Sequence, residues 1–378
     1  MRLETSLFEK NFVSLVGGFL LLLLHSYKLV IMMQEDSERT ELENLGEFGL
    51  IDHLTKDLEN KQPSTKIGVG DDAAVIDIGD KYLLVSTDML MEGVHFDLSY
   101  APLKHLGYKA VIVNLSDIYA MNGTATQITI SIAVSNRFSL EAIDAFYEGA
   151  KLAAEIYGVD IIGGDTTSSL AGFGISITAI GEVEKDQLAT RSGAQENDLI
   201  CVTGDLGGAY VGLQLLEREK GIFKEDDKVQ PDFSGKDYLL ERQLKPEAKK
   251  GLKKMLKNAG IVPTSMIDVS DGLASELMHL GKNSDKGMTI YENKLPIDPL
   301  TVSTSEELGV DPTISALNGG EDYELLFTVA QANFENVKSL EGVSIIGHVT
   351  DINTGFNMIG KGDNVIKLSA QGWNAFSK

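Results

Sequence analysis

Leu50, Ile51, Leu54 and Leu58 fall on one face of a 3.6-residue period, so residues 47–58 are predicted to form a short amphipathic helix. The pattern then changes period. Apolar positions predict strands at 74–78 and 82–86, a helix over 106–121 and a strand at 127–134. A second helix over 140–157 leads into a strand at 160–162, and a long strand at 174–183 closes this half. Residues 191–197 are polar and glycine-containing, and mark the expected domain boundary. The second half repeats the grammar with strand 198–203, helix 209–218, a charged loop over 220–236, helix 246–258, strand 266–268 and helix 273–282. Strands at 325–329 and 344–349 complete it. Strands and helices in mixed order predict an α/β (α+β) fold in both halves rather than strict βαβ alternation.

One stretch stands outside this grammar. Residues 12–24 form a nearly unbroken apolar run, extended by 29–33 beyond His25, Ser26, Tyr27 and Lys28. Two Glu against one Arg and one Lys lie upstream, no small-x-small cleavage site follows, and Met32 and Met33 open an ordinary polar start. Residues 1–32 are therefore read as an upstream extension from a misplaced start codon, disordered or irrelevant to function. The alternative is a membrane anchor with the catalytic body on the cytosolic side. The expected domains are then 33–193 and 194–378.

A chain of 378 residues, 43% of them hydrophobic, supplies cores for two such domains. The formal charge of −23 argues against a nucleic-acid partner, which needs clustered Lys and Arg. An acidic protein still binds a polyphosphate when divalent cations lie between the two sets of negative charge. Cys201 is the single cysteine, which excludes intrachain disulfides and multi-cysteine metal sites and fits a reducing cytosol.

Two phosphate-loop patterns are chance matches. Gly355, Gly360 and Lys361 spell GxxxxGK, but Gly362 occupies the position of the required Ser or Thr. Gly68, Gly70 and Ala73 mimic GxGxxA, yet Asp71 and Asp72 follow and then a strand-like run, where a pyrophosphate would need a helix N-terminus.

The acidic residues carry more. Asp71 and Asp72 in GVGDDAA, Asp88 in STDML, Asp117 in NLSDIYAMNG, Asp165 in GGDTTSS, Asp268 and Asp271 in DVSDGL, and Glu321, Asp322 and Glu324 in GGEDYEL sit in short motifs bounded by Gly, Ser, Thr or Asn. Each follows an apolar run, as a carboxylate at the C-terminal edge of a sheet does. Singly, Asp72, Asp165 and Asp271 fit turn or helix-cap roles equally well. Together the set reads as a ring of hard oxygen ligands, because uncompensated carboxylates converge only around cations. With hydroxyls from Ser86 and Thr87 the donors favour Mg²⁺ over zinc or iron, and Mg²⁺ in turn points to a nucleotide polyphosphate.

The series GDDAA, STDML with GVHF, NLSDIYAMNG, GGDTT, LATRSGA, VTGDLG, IDVSDGL and NGGEDYEL resembles thiamine-monophosphate kinases in order and spacing, from about Leu45 onward. That family lies in the superfamily named after aminoimidazole ribonucleotide synthetase. The resemblance implies a two-domain PurM-like fold, with an N-terminal mixed sheet forming a barrel across a homodimer and a C-terminal α/β domain. It implies Mg²⁺ ligands at Asp72, Ser86, Thr87, Asp88, Asp117, Asp165, Asp268 and Asp271, with several ions and ATP as co-substrate. Nucleotide contacts are implied at Tyr147, Gly164, Asp165, Arg191 and Ser270, and thiamine monophosphate contacts at His95, Glu321 and Trp373. Asp88, Asp117 and Arg191 are the implied catalytic set.

The acceptor of such a reaction is already a phosphate monoester, so no base is needed, and the obstacle is bringing two anions together. Arg191 would clamp phosphate oxygens, and Trp373 would offer a face to a cationic thiazolium. A selenophosphate synthetase would carry a reactive Cys in a glycine-rich loop, and the hydrogenase maturation relative ends in Cys; this chain does neither. Aminoimidazole ribonucleotide synthetase remains the enzyme alternative. A cytoplasmic location is expected, with no membrane partner unless residues 1–32 are an anchor.

Overall fold

The computed structural model describes Leu42, residues 45–226 and residues 228–370. The apolar segment 1–32 and Trp373 lie outside the described residues. Helix α1 (Gly46–Thr55) forms where the first apolar stripe predicts it, has no buried residue, and falls in a different compact unit from the chain after Leu58. Among the described residues no helix is long and apolar enough to cross a membrane.

The larger unit holds two sheets. The first contains β1 (Thr65–Ile67), β2 (Ala74–Asp77), β3 (Lys81–Met91), β4 (Thr124–Val134), β5 (Asp160–Ser168) and β6 (Phe173–Glu184) in the order β1-β2-β3-β6-β4-β5. Every pair is antiparallel except β4 with β5. Period-two alternation sorts β3: Leu84, Ser86 and Leu90 are buried on one face, while Thr87 and Met89 are exposed on the other. Helices α2 (Leu103–Ala120) and α3 (Leu140–Tyr157) follow.

These two helices cross very closely. A Cβ at Gly107 would stand 1.9 Å from Phe146 O, and one at Gly149 would stand 1.8 Å from Lys104 O. Backbone cannot yield as a flexible side chain does, so Gly149→Ala is expected to destabilise the protein by about 1–3 kcal/mol through forced separation of the helices. A thermal melt checks this; an unchanged midpoint would mean that the crossing is slack.

The second sheet contains β7 (Leu199–Thr203), β8 (Ser265–Asp268), β9 (Lys286–Tyr291), β10 (Leu325–Val329), β11 (Val343–Asp351), β12 (Phe356–Ile359) and β13 (Val365–Lys367), ordered β13-β12-β9-β11-β7-β10-β8. Strands β7, β8 and β10 are buried at every position, which explains their unbroken apolar runs. Helices α4 (Gly208–Glu225), α5 (Asp237–Leu244), α6 (Leu252–Asn258), α7 (Leu273–Ser284), α8 (Pro299–Leu308), α9 (Pro312–Asn318) and α10 (Phe334–Lys338) complete this half. One apolar core joins the two sheets, running from Leu84, Ile112 and Ile130 to Cys201, Met266 and Phe327. Helix α2 bridges them: fourteen of its residues are buried, so it shows no amphipathic stripe.

Several expected elements change. Strand 82–86 continues to Met91 and strand 160–162 to Ser168. The charged loop 220–236 is partly helix, since α4 runs to Glu225, and α5 begins directly after it. Helix 246–258 starts only at Leu252. The reason is tertiary: Glu247 accepts from the hydroxyls of Tyr108 and Tyr157, and Ala248 N–H donates to Tyr157 Oη at 2.8 Å, so this stretch is tied to α2 and α3 instead of to itself.

Candidate active site

The site lies where the two sheets meet along α2. Strand β3 sends Ser86 and Asp88 towards the helix-covered face, and α2 answers with Asn114, Ser116 and Asp117. The loop before β2 supplies Asp71 and Asp72, and β8 ends in Asp268. Carboxylate oxygens of Asp72, Asp117 and Asp268, one from each, all lie within 4.8 Å of one another.

Hydrogen bonds fix each member. Ser86 Oγ donates to Asp117 Oδ2, and Ser116 Oγ donates to Asp268 Oδ2 at 2.6 Å. Asn114 donates to Ala110 O and accepts the backbone N–H of Asp88 at 3.0 Å, which pins the strand to the helix. Arg191 reaches in from the connector between the sheets, its Nη2 2.6 Å and its Nε 3.2 Å from Asp72 Oδ1. Its backbone N–H donates to the Asp71 carboxylate at 3.2 Å.

The cluster is electrostatically frustrated. Burial, then the charges of Asp88, Asp268 and Asp72, push the Asp117 carboxyl well above its usual range. Burial and then Asp72 push Asp268 up to about 7, and the same two causes push Asp71 to about 7. Burial also raises Asp72, against the pull of Arg191. One guanidinium does not balance this set. Moreover, Asp72 Oδ2 is buried without a hydrogen-bond partner, an orphaned acceptor facing a group of hard oxygens. A Mg²⁺ ion fits these all-oxygen donors, a set that suits it better than zinc or iron, whose sites more commonly include nitrogen or sulfur.

Beneath the cluster, residues 319–324 form a strained loop. Gly320, Glu321 and Tyr323 have φ of 69°, 58° and 50°, left-handed values that the last two adopt without being glycine. The loop keeps this shape because Glu321 N–H donates to Ser270 O at 2.7 Å and Tyr323 N–H to Val269 O at 2.9 Å. Asp322 receives Gly207 N–H at 2.7 Å, and Arg242 bridges Asp322 and Glu324 at 3.2 and 3.0 Å. These acids are structural anchors rather than open ligands.

The remaining candidates divide. Asp271 follows Ser270 in the same turn, its N–H donating to Glu276 Oε1 at 2.9 Å. Thr87 and Asp165 sit apart from the three-carboxylate cluster. Thr87 Oγ1 donates to Ile177 O on the open face of the first sheet. Asp165 is exposed on the edge strand β5, in register with Ser131 rather than with the buried Ile130 or Ile132. Gly164 lies against Ile130, where a Cβ would stand 1.7 Å from the carbonyl oxygen. Tyr147 is half-buried on α3 with its ring edge-on to Phe146, and no described contact joins it to the carboxylates. His95 is exposed in the loop after β3 and accepts Met91 N–H at Nδ1.

Glu276 went unnoticed in the sequence. It is buried, lies near Asp268 and Arg191, and its carboxyl is pushed far up by burial and Asp271. Its helical position in α7 looks like a first-turn acid and gives no signal of this. Asn114 was likewise not singled out, although it precedes Asp117 by about one helical turn within the same motif.

The paired sheets joined by one bridging helix, with a glycine- and aspartate-rich cleft between, define a PurM-like mixed α/β protein. A family model described as AIR synthase related protein, N-terminal domain, matches residues 70–183. The thiamine-monophosphate kinase of Aquifex aeolicus is 34% identical over 89% of this chain and 99% of its own length. That of Bacillus subtilis is 36% identical over 78% of this chain and 86% of its own. A solved structure, AaThiL complexed with AMPPCP and TMP, superposes with a TM-score of 0.76 at 34% identity, covering 89% of this chain and 99% of that one. The chain belongs to the thiamine-monophosphate kinase family.

Proposed function

We propose that this protein transfers the γ-phosphoryl group of ATP to the phosphate of thiamine monophosphate, giving thiamine diphosphate and ADP. The carrying observation is the cluster of Asp72, Asp117 and Asp268, with Asp72 Oδ2 buried and unpartnered and Arg191 beside it. The relative's complex with an ATP analogue and TMP supports the same pair of substrates.

Bound Mg²⁺ would be held by Asp72, Asp117 and Asp268, with Asp88 alongside, and would neutralise charge on the phosphates and on the leaving ADP. The chain's own part is positioning. Ser86, Ser116 and Asn114 lock the carboxylates and the β3 backbone before substrate arrives, so little reorganisation is needed. Arg191 already lies against Asp72, and its guanidinium would meet a phosphate oxygen in the fork geometry that such a group provides. No protein nucleophile is required, because the acceptor phosphate is itself the nucleophile. Thr87 and Asp165, on the open face of the first sheet, would contact a part of the nucleotide away from the metal cluster, and His95 and Glu321 would hold the acceptor.

A homodimer built on the first sheet belongs to the same proposal. Its support is the first sheet itself: Met89 and Met91 of β3 are exposed on the open face, and Ile162 is exposed on β5, whose outer edge is unpaired. A cytoplasmic location follows from the substrates.

The full-length protein incubated with ATP, Mg²⁺ and thiamine monophosphate is expected to release thiamine diphosphate and ADP in equal amounts. Turnover of a formylglycinamidine ribotide instead would place it with the synthetase relatives.

A further inference from the structure

Helix α2 carries a second functional group one side of the metal cluster, and nothing in the proposed chemistry uses it. Lys109 is buried, 6% exposed, and its Nζ lies 2.9 Å from Glu321 Oε1. The same Nζ donates to Gln243 O at 2.9 Å, and Gln243 Nε2 donates to Glu321 Oε2 at 2.7 Å. Both carboxylate oxygens of Glu321 are thus held, one by an ammonium from the first half and one by an amide from α5. Glu321 itself remains 28% exposed in its side chain, so it still faces solvent.

We propose that Lys109 and Gln243 are positioning residues that fix the Glu321 carboxylate as the anionic contact for the cationic acceptor. This rests on the kinase reading and deepens it. Three features carry the inference. Gln243 is buried and its Oε1 has no partner, so its amide bears a desolvation cost and donates one bond in return, to Glu321. Glu321 holds a left-handed backbone conformation without being glycine, which persists only where surrounding contacts over-determine it, and the bonds from Lys109 and Gln243 are among those contacts. Finally, Lys109 and Asp117 lie on one rigid helix, eight residues and about 12 Å apart along its axis. That helix therefore sets the spacing between the carboxylate that meets the acceptor's ring system and the carboxylates that organise phosphoryl transfer. A thiazolium bearing a phosphorylated side chain has its charge and its nucleophile at two ends, and this arrangement addresses both from one element.

The test is steady-state kinetics of full-length Lys109→Met, Lys109→Arg and Gln243→Leu. In Lys109→Met the KM for thiamine monophosphate is expected to rise at least tenfold, with the KM for ATP unchanged within twofold, and Lys109→Arg is expected to restore most of the loss. Lys109→Met combined with Glu321→Gln should be no worse than Glu321→Gln alone, because both act through one contact. If Lys109→Met fails to fold, Gln243→Leu gives the same split, since the Lys109 contact to Gln243 O is to backbone. An active wild type whose acceptor KM is unmoved in Lys109→Met and Gln243→Leu, or moved equally with that for ATP, would overturn the positioning role. A wild type with no kinase activity would instead defeat the reading on which it rests.

Discussion

Asp117→Asn is expected to lower turnover by about 100- to 1,000-fold while raising the thermal stability of the metal-free protein. The two effects have one cause. Asp117 sits among Asp88, Asp268 and Asp72, and its carboxyl is held far above its ordinary range by burial and those neighbours. An amide has the same shape, still accepts from Ser86, and carries no charge, so the repulsion that strains the empty cluster falls. The same change removes a ligand charge where phosphates must be neutralised. Loss of activity accompanied by loss of stability would instead mark Asp117 as an ordinary structural residue. Stabilisation that accompanies inactivation is the signature of a site kept under strain for its chemistry.

The second large effect concerns pH and Mg²⁺. Asp268 and Asp71 have folded-state values of about 7, well above those of an unfolded carboxyl. The folded protein therefore binds more protons than the unfolded chain between about pH 4 and pH 7, and the stability of the metal-free protein falls as pH rises through that window. Above it the dependence on these groups levels off. Mg²⁺ must displace those protons, so its stabilising effect is expected to be larger at pH 8 than at pH 6. At a hundredfold excess over its dissociation constant it should contribute about 2.7 kcal/mol, readable as an upward shift in the melting midpoint. Equal shifts at both pH values, or none, would mean that the carboxylates are not the ligands.

Much of this arrangement was legible because the chemistry is local in sequence. Asp72, Asp117 and Asp268 each end or adjoin an apolar run, and burial of the elements that carry them brings the three together without long side chains. Other features depend on tertiary context. The exposed, polar half of β5 lacks the apolar alternation that marks a strand, and it forms because β4 offers an edge. Residues 246–251 have helical composition but spend their polar groups on Tyr108 and Tyr157. Lys109 and Gln243 lie 134 residues apart, and no local pattern announces that they meet at Glu321. Asp165 and Thr87 were expected in one ring with the other carboxylates; the register of the sheet puts them on its open face, and their part in the chemistry stays a proposal.

The most direct measurement is an anomalous-difference map from crystals grown with Mn²⁺ in place of Mg²⁺ and a non-hydrolysable ATP analogue. Peaks are expected about 2.0–2.2 Å from oxygens of Asp72, Asp117 and Asp268, between those side chains and the analogue's phosphates. A bound analogue with no peak at the three carboxylates would contradict the claim that they exist to hold divalent metal against a polyphosphate.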